Sequence, residues 1–259
     1  MSSMSRTERA VISISPFLIG AVLWEAIARS GYFPPAFFPD LETIATTFVE
    51  LLQSGVLITS ALGTLSRLFL GFSFAVVIGI TLGMMMGRFQ WAEDTFLPLV
   101  SIIYPIPALA YAPLFVLWFG LGNLPSVLMV TLGAAFTIAI NTWKGVSAVK
   151  PIWIRSAEGM GISESGMFWR VILPASLPYT LTGLRLGIGA AWRVLVGVEM
   201  LTAIDYGLGS LIFGAQKFLN TDVMLSGIIV IAIVGYSIER LVFELIERRT
   251  LVRWGMVTA

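Results

Sequence analysis

Apolar blocks long enough to cross a bilayer recur along the chain, and they limit the folds that it can adopt. A membrane-spanning helix needs about 20 predominantly apolar residues. Hydrophobic residues make up 57% of the 259 residues and charged residues only 12%, whereas a soluble domain carries roughly 25% charged residues. The sequence therefore predicts an all-α, polytopic membrane protein with a single domain.

We predict six transmembrane helices. They cover residues 11–29, 62–87, 95–119, 125–143, 178–203 and 223–245. The first block has an alternative as a signal peptide, since Ala26-Ile27-Ala28 resembles a cleavage site. Glu25 and Arg29 flank that triplet at the spacing of a helical ion pair, which favours a retained span.

The distribution of basic residues predicts the orientation. No lysine or arginine occurs between Arg29 and Arg67, and most other basic residues fall on the opposite side of a six-span chain. The positive-inside rule then places both termini in the cytoplasm. The predicted organisation is an N-terminal span with an outer helix (1–56), a transmembrane core (57–246) and a cytoplasmic tail (247–259).

Two sequence patterns predict helix packing. In the outer loop, Asp40 is a candidate N-cap, and the apolar stripe that follows it predicts a short amphipathic helix lying against the spans. The stripe consists of Leu41, Ile44, Phe48 and Leu51. The second span has a small residue every fourth position: Gly71, Ala75, Gly79, Gly83 and Gly87. We expect this smooth face to pack within the chain, with a subunit interface as the alternative.

The third span is rich in proline, which is incompatible with a straight lipid-facing helix. Its prolines are Pro98, Pro105, Pro107 and Pro113. Broken backbone at membrane depth is tolerated inside protein or beside water, so we expect this span to line a path; a kinked packing helix is the alternative. Candidate residues of the path are Tyr104, Pro107, Tyr111, Trp118, Asn141, Arg193 and Glu199.

Charged residues within the spans need a partner, water or a route to the interface. We expect Arg67 and Arg185 to lie near span ends and to extend towards the interface. Glu199 is expected close to the outer surface and Arg193 deeper, six residues away and on a different helix face. For Arg193 we expect an ion pair with another span, and attraction of an anion in a pore is the alternative.

The residue types that are missing argue against an enzyme. The chain has no histidine and no cysteine, so it lacks the commonest general base, metal ligand and thiol nucleophile. It also has no G-x-x-x-x-G-K-[ST] motif for binding ATP. We expect no cofactor, no metal site and no catalytic residue, and the net charge of +1 gives no reason to expect nucleic acid binding.

One polar segment, "SAEGMGISESGMFWRVILPASLP", interrupts the apolar sequence from Ser156 to Pro178. Its glycines and prolines predict one or two short helices that end where the chain re-enters the membrane. The apolar edge is expected to project as a knob suited to a groove on a partner, whereas the residues alone favour a connecting loop. This edge consists of Met167, Phe168, Val171 and Ile172.

The segment resembles the EAA loop of binding-protein-dependent ABC importer permeases. Gly161, Val171 and Leu173-Pro174 match the glycine, isoleucine and L-P positions of that pattern, and Arg155-Ser156-Ala157 stands in place of the E-A-A triplet. Further stretches follow the order seen in the nitrate/sulfonate/taurine branch: "TLSRLFLGFSFAVVIGITLGMMMGR", "YPIPALAYAPLFVLWFGLG", "INTWKGV", "RVILPASLPYTLTGLRLGIGAAWR" and "GLGSLI".

The resemblance implies a type-1 importer permease fold. Two permease copies, expected to be a homodimer, would form the pore for a small anion such as nitrate, a sulfonate, taurine or bicarbonate. Two cytoplasmic ATPase subunits would each bind the loop at 145–177, with a coupling helix from Ala157 to Ser165, and an extracytoplasmic binding protein would deliver substrate. The expected coupling residues are Ala157, Glu158, Gly161, Ile162, Ser163, Leu173 and Pro174. The alternative function is an ATP-independent secondary transporter or channel.

Overall fold

The structure, a computed structural model, describes residues 6–202 and 205–242, and all regular structure within them is helical. The prediction of an all-α protein is therefore confirmed. The helices are α1 (Arg6–Arg29), α2 (Leu41–Gln53), α3 (Val56–Arg88), α4 (Gln90–Ile103), α5 (Ala112–Phe119), α6 (Asn123–Ser147), α7 (Pro151–Gly159), α8 (Glu164–Met167), α9 (Leu173–Glu199), α10 (Leu208–Lys217) and α11 (Thr221–Tyr236). A 3₁₀ turn (Ala108–Tyr111) precedes α5, and π-helical turns (Phe168–Ile172 and Ser237–Val242) precede α9 and follow α11.

Four helical stretches of the described residues are long and apolar enough to cross a membrane. They are α3, α6, the run from Glu164 to Glu199 that ends with α9, and the run from Thr221 to Arg240 that begins with α11. The pair formed by α4 and α5 gives a fifth span if it is counted as one bent element. The first predicted span forms α1, a helix of 24 residues, and its role as a sixth span stays a prediction.

The core of the fold is a close packing of α3, α6 and α9. The small-residue stripe of α3 faces α6: a Cβ added at Gly71 would lie 2.7 Å from Val130, and one added at Gly83 would lie 2.5 Å from the carbonyl oxygen of Ala139. Such contacts let two backbones approach closely, which is how small residues hold helices together in lipid. The predicted packing within the chain is confirmed, and the stripe is not a subunit interface.

The predicted outer helix is α2, and it begins as expected. The carboxylate of Asp40 accepts a hydrogen bond of 2.8 Å from the backbone N–H of Thr43. Ile44 is buried, and the hydroxyl of Thr47 donates to the carboxylate of Asp222 on α11 at 2.7 Å. The apolar face of α2 therefore packs against the membrane-spanning helices, as the pattern predicts.

The predicted break at the prolines before the fifth span is wrong. The chain is helical without interruption from Glu164 to Glu199. Pro174 and Pro178 both lie inside this continuous run. A π-helical turn immediately precedes Pro174. The backbone hydrogen-bond pattern therefore already changes at the position where a proline would disrupt an α-helix. As a result, a single helical stretch joins the polar segment to the core of the bundle.

Candidate functional site

The proline-rich third span is sharply bent, as predicted. The axes of α4 and the helical stretch Ala108–Phe119 differ by 84°. The bend borders a cavity of about 230 Å³, whose wall includes Tyr104, Pro107 and Tyr111. Gly133 of α6 and Val194 of α9 form part of the opposite wall. Three predicted path residues thus lie together around one cavity.

Two other predicted path residues lie elsewhere. Trp118 does not line this cavity, and it packs against Phe119 near the far end of α5 with its side chain exposed. The side-chain amide of Asn141 donates a hydrogen bond of 2.8 Å to the carbonyl oxygen of Thr137, one turn earlier in α6. Neither residue is brought to the bend by the fold.

The prediction that Arg67 extends towards the interface is wrong, because Arg67 is buried and paired. Its Nη1 donates to Oε1 of Glu199 at 2.7 Å, and both side chains are almost completely shielded from solvent. Its Nε donates to the side-chain oxygen of Asn123 at 2.6 Å. An ion pair taken out of water is favourable only when further hydrogen bonds satisfy both groups, and this pair has them.

The second oxygen of Glu199 completes the network. It accepts hydrogen bonds from the hydroxyl of Thr64 at 2.9 Å and from the backbone N–H of Gly209 at 3.0 Å. The hydroxyl of Thr64 in turn accepts from the backbone N–H of Leu208 at 2.9 Å. A Cβ added at Gly207 would lie 2.8 Å from the carboxyl group. The network therefore joins α3, α6, α9 and the beginning of α10, and the "GLGSLI" stretch fits closely around Glu199.

Arg193 does not form the predicted ion pair. Among residues 6–202 and 205–242, it has no hydrogen-bonding, charged or aromatic partner. Its side chain is exposed. The carboxylate six residues later on the same helix pairs with α3 instead. Arg193 is thus left on the outside of the packed bundle.

The polar segment forms two short helices with a tight turn between them. Gly161 has a φ of +73°, a conformation that glycine adopts without strain. A Cβ at Gly161 would have no neighbour within 4 Å in this chain, so the turn is what requires a glycine here. Ser163 caps the next helix by accepting from the N–H of Gly166. This turn divides the predicted coupling helix from Ala157 to Ser165 between the end of α7 and the beginning of α8, and its coupling role stays a prediction.

The apolar edge of the segment points inward. Met167 and Ile172 are buried in a cluster with Met84 of α3 and Val146 of α6, so the predicted outward knob is wrong for these two residues. Ala157 is buried in the same cluster. Burial of this edge fixes the segment to two membrane-spanning helices.

A different set of large apolar side chains is exposed on the segment and on the first turn of α7 just before it. It consists of Ile152, Trp153, Met160 and Trp169. Of the predicted coupling residues, Glu158 is also exposed, while Ile162 packs at the edge of the buried cluster. Leu173 and Pro174 form the first turn of α9. Exposed apolar groups beside a polar turn are typical of a protein-binding surface.

Comparison with known sequences identifies a family. The model of the "Binding-protein-dependent transport system inner membrane component" family matches residues 75–252. The taurine transport system permease protein TauC of Escherichia coli K12 is 33% identical over 238 residues, which cover 90% of this chain and 86% of TauC. The putative aliphatic sulfonates transport permease protein SsuC of Bacillus subtilis 168 is 34% identical over 232 residues, with 90% and 83% covered.

Comparison with solved structures supports the same fold. An inward-facing structure of the MetNI methionine ABC transporter matches with a TM-score of 0.65 at 20% identity, covering 75% of this chain and 96% of the solved chain. A structure of an amino acid ABC transporter with histidines matches with a TM-score of 0.62 at 18% identity, covering 78% and 98%.

Proposed function

Because the chain belongs to the binding-protein-dependent transport system inner membrane component family, we propose that it is the permease subunit of an ATP-driven importer of small anions. The observation that carries the proposal is the similarity along 90% of the chain to permeases named for taurine and sulfonate transport. ATP hydrolysis is assigned to a separate subunit, in keeping with the lack of a P-loop motif here. The pore is proposed to form between two copies of this chain.

The contact surface for the ATPase is proposed to be the exposed side of α7 and of the polar segment. We call it the coupling surface, and it consists of Ile152, Trp153, Glu158, Met160, Gly161 and Trp169. This surface is continuous with the buried cluster that contacts Met84 and Val146. Through α9, the segment is also continuous with the wall of the cavity at the bend. A displacement of the segment by ATP binding would therefore move helices that border the path.

The orientation and organisation follow from the same proposal. The coupling surface faces the cytoplasm, together with both termini and the tail at 247–259. The outer helix α2 and the Arg67–Glu199 network then lie at the extracytoplasmic end, where a substrate-binding protein would dock. The core is proposed to extend over 57–246, with the N-terminal span and outer helix at 1–56 beside it.

Reconstituted transport tests the proposal. The chain is purified with its ATPase partner from native membranes, placed in liposomes with the binding protein, and supplied with labelled taurine or labelled nitrate. We expect uptake with MgATP on the ATPase side and none with a non-hydrolysable ATP analogue. Equal uptake without ATP would overturn the proposal and favour a secondary transporter or channel.

A further inference from the structure

One face of α9 is left uncovered by the rest of the chain and carries an arginine. Thr182, Leu186, Gly189 and Arg193 follow one another at spacings of four, three and four residues, which places them on the same side of the helix. The side chains of Thr182, Leu186 and Arg193 are exposed. The opposite side of α9 packs against α6. Arg193 therefore points away from the core of the bundle.

The position of Arg193 along α9 places its guanidinium group within the hydrocarbon core. If the end of α9 at Glu199 marks the outer boundary, Arg193 lies about 9 Å below it, at 1.5 Å per residue. The hydrocarbon core is about 30 Å thick. A Cβ added at Gly189 would lie 3.6 Å from Nη1 of Arg193, so the side chain folds back along the helix. It thus runs away from the nearer interface and towards mid-membrane.

No residue of the described chain compensates this charge. Arg67, also within a membrane-spanning helix, is paired with Glu199, whereas Arg193 has no partner among residues 6–202 and 205–242. An arginine at this depth is costly in lipid and is retained where it faces water, a counter-charge or a substrate path. The uncovered face of α9 is therefore not a lipid-facing surface.

The composition of neighbouring surfaces supports this assignment. Helix α11 exposes Ile228, Ile229 and Ile233 to its surroundings, which is typical of contact with lipid. The uncovered face of α9 instead carries a hydroxyl, a glycine and a guanidinium, with Leu186 as its one large apolar side chain among these four positions. Val194, next to Arg193, lines the cavity at the bend of the third span. The arginine thus lies beside the candidate path.

We propose that Arg193 is the anion-recognition residue of the translocation path, where its guanidinium group binds the sulfonate or other oxyanion group of the solute during passage. This inference rests on the proposed function. Guanidinium presents N–H donors in a planar fork that matches two oxygens of an oxyanion. It also stays charged at all physiological pH values. One exposed arginine in an otherwise weakly polar path would admit small anions and repel cations.

Water access to this position is the first test, and it needs no transport assay. The chain has no cysteine, so a single introduced cysteine is the only thiol. We expect Arg193→Cys to react with water-soluble methanethiosulfonate reagents, whereas Val77→Cys, at an exposed position of α3, should not react because it faces lipid. An unreactive cysteine at position 193 would overturn the inference.

The charge requirement is the second test, in the reconstituted complex with labelled taurine and labelled nitrate as probes. Arg193→Gln should lower uptake by about tenfold to a hundredfold, because it removes a charged hydrogen bond to the solute. Arg193→Lys, which keeps the charge, should retain more activity than Arg193→Gln. A positively charged thiol reagent should partly restore uptake by Arg193→Cys, and a negatively charged reagent should not. Arg29→Gln, which removes an exposed arginine in the last turn of α1, is the matched control and should transport normally.

The outcomes separate this inference from the proposed function. ATP-dependent uptake that is unchanged in Arg193→Gln would refute the role of Arg193 and leave the proposed function standing. A wild-type complex without ATP-dependent uptake would refute the proposed function itself. If Arg193→Gln prevented assembly of the complex, Arg193 would instead be an intersubunit contact, and the inference would be wrong.

Discussion

Replacing Glu199 by glutamine tests the buried network with almost no change in side-chain shape. In the native chain, one oxygen of Glu199 accepts from Arg67 and the other accepts from Thr64 and Gly209. A glutamine turns one acceptor into a donor, so an N–H group must face either the guanidinium or the other two donors. Arg67 also loses its counter-charge. Breaking a buried ion pair in this way costs about 3–5 kcal/mol.

The expected loss of stability is large enough to measure by thermal unfolding of the purified chain in detergent. Intrinsic tryptophan fluorescence monitors the unfolding. For a chain of this size, the melting temperature falls by roughly 2–4 °C per kcal/mol, so Glu199→Gln should lower it by roughly 6–20 °C. Arg29→Gln, which removes an exposed ion pair with Glu25, is the matched control and should melt like the wild type.

A double variant distinguishes a charge effect from a packing effect. Arg67→Gln with Glu199→Gln removes both charges, so no unpaired charge stays buried. We expect the double variant to be less destabilised than the sum of the two single variants. A wild-type melting temperature for Glu199→Gln, or strictly additive losses in the double variant, would refute the assignment of a coupled buried ion pair.

Three further changes test the packing and the coupling segment. Gly83→Leu should separate α3 from α6 and destabilise the chain by about 1–3 kcal/mol. Gly20→Leu is the control and should not destabilise it, because a Cβ at Gly20 has no neighbour within 4 Å. A thermal-stability assay compares the two variants. Gly161→Glu should abolish ATP-driven uptake while membrane insertion stays normal, because the turn needs a positive φ. Gly161→Asn should keep activity, since asparagine tolerates that conformation. Normal uptake by Gly161→Glu would contradict the role of the turn. Thr47→Val should remove the hydrogen bond to Asp222 and cost about 1 kcal/mol, seen as a small drop in melting temperature.

The sequence was most informative where a local pattern determines a helix face. The four-residue repeat from Gly71 to Gly87 predicts a smooth surface that packs inside the chain, and the cap at Asp40 predicts where α2 begins. Both are local consequences of helix geometry. The pattern does not predict which helix packs against that face, because periodicity shows only which residues share a face.

The buried ion pair could not be predicted, because it too depends on which helices meet. Arg67 and Glu199 are 132 residues apart, and the rotation of α9 in the bundle decides whether Arg193 or Glu199 faces α3. The helical spacing correctly excluded a pair between Arg193 and Glu199. The glycines at 207 and 209 next to a membrane-embedded carboxylate were the one available signal, since a close backbone approach needs glycine.

The coupling segment was only partly predictable. The glycine turn and the short helices follow from residue types, but the proline rule predicted a break that the π-helical turn before Pro174 avoids. The inward direction of Met167 and Ile172 depends on contacts with α3 and α6, which lie far away in sequence. The apolar periodicity could show an edge, but it could not show whether that edge is buried by the same chain.

The most direct test of the account is to determine on which side of the membrane the coupling surface lies. Met160 is largely exposed at the turn of the segment, and Met160→Cys would be the only thiol in the chain. A membrane-impermeant maleimide should label it in inverted membrane vesicles and not in intact cells, and bound ATPase subunit should protect it. Labelling in intact cells, or labelling in vesicles that the ATPase subunit leaves unchanged, would contradict the proposal that this segment couples transport to ATP hydrolysis.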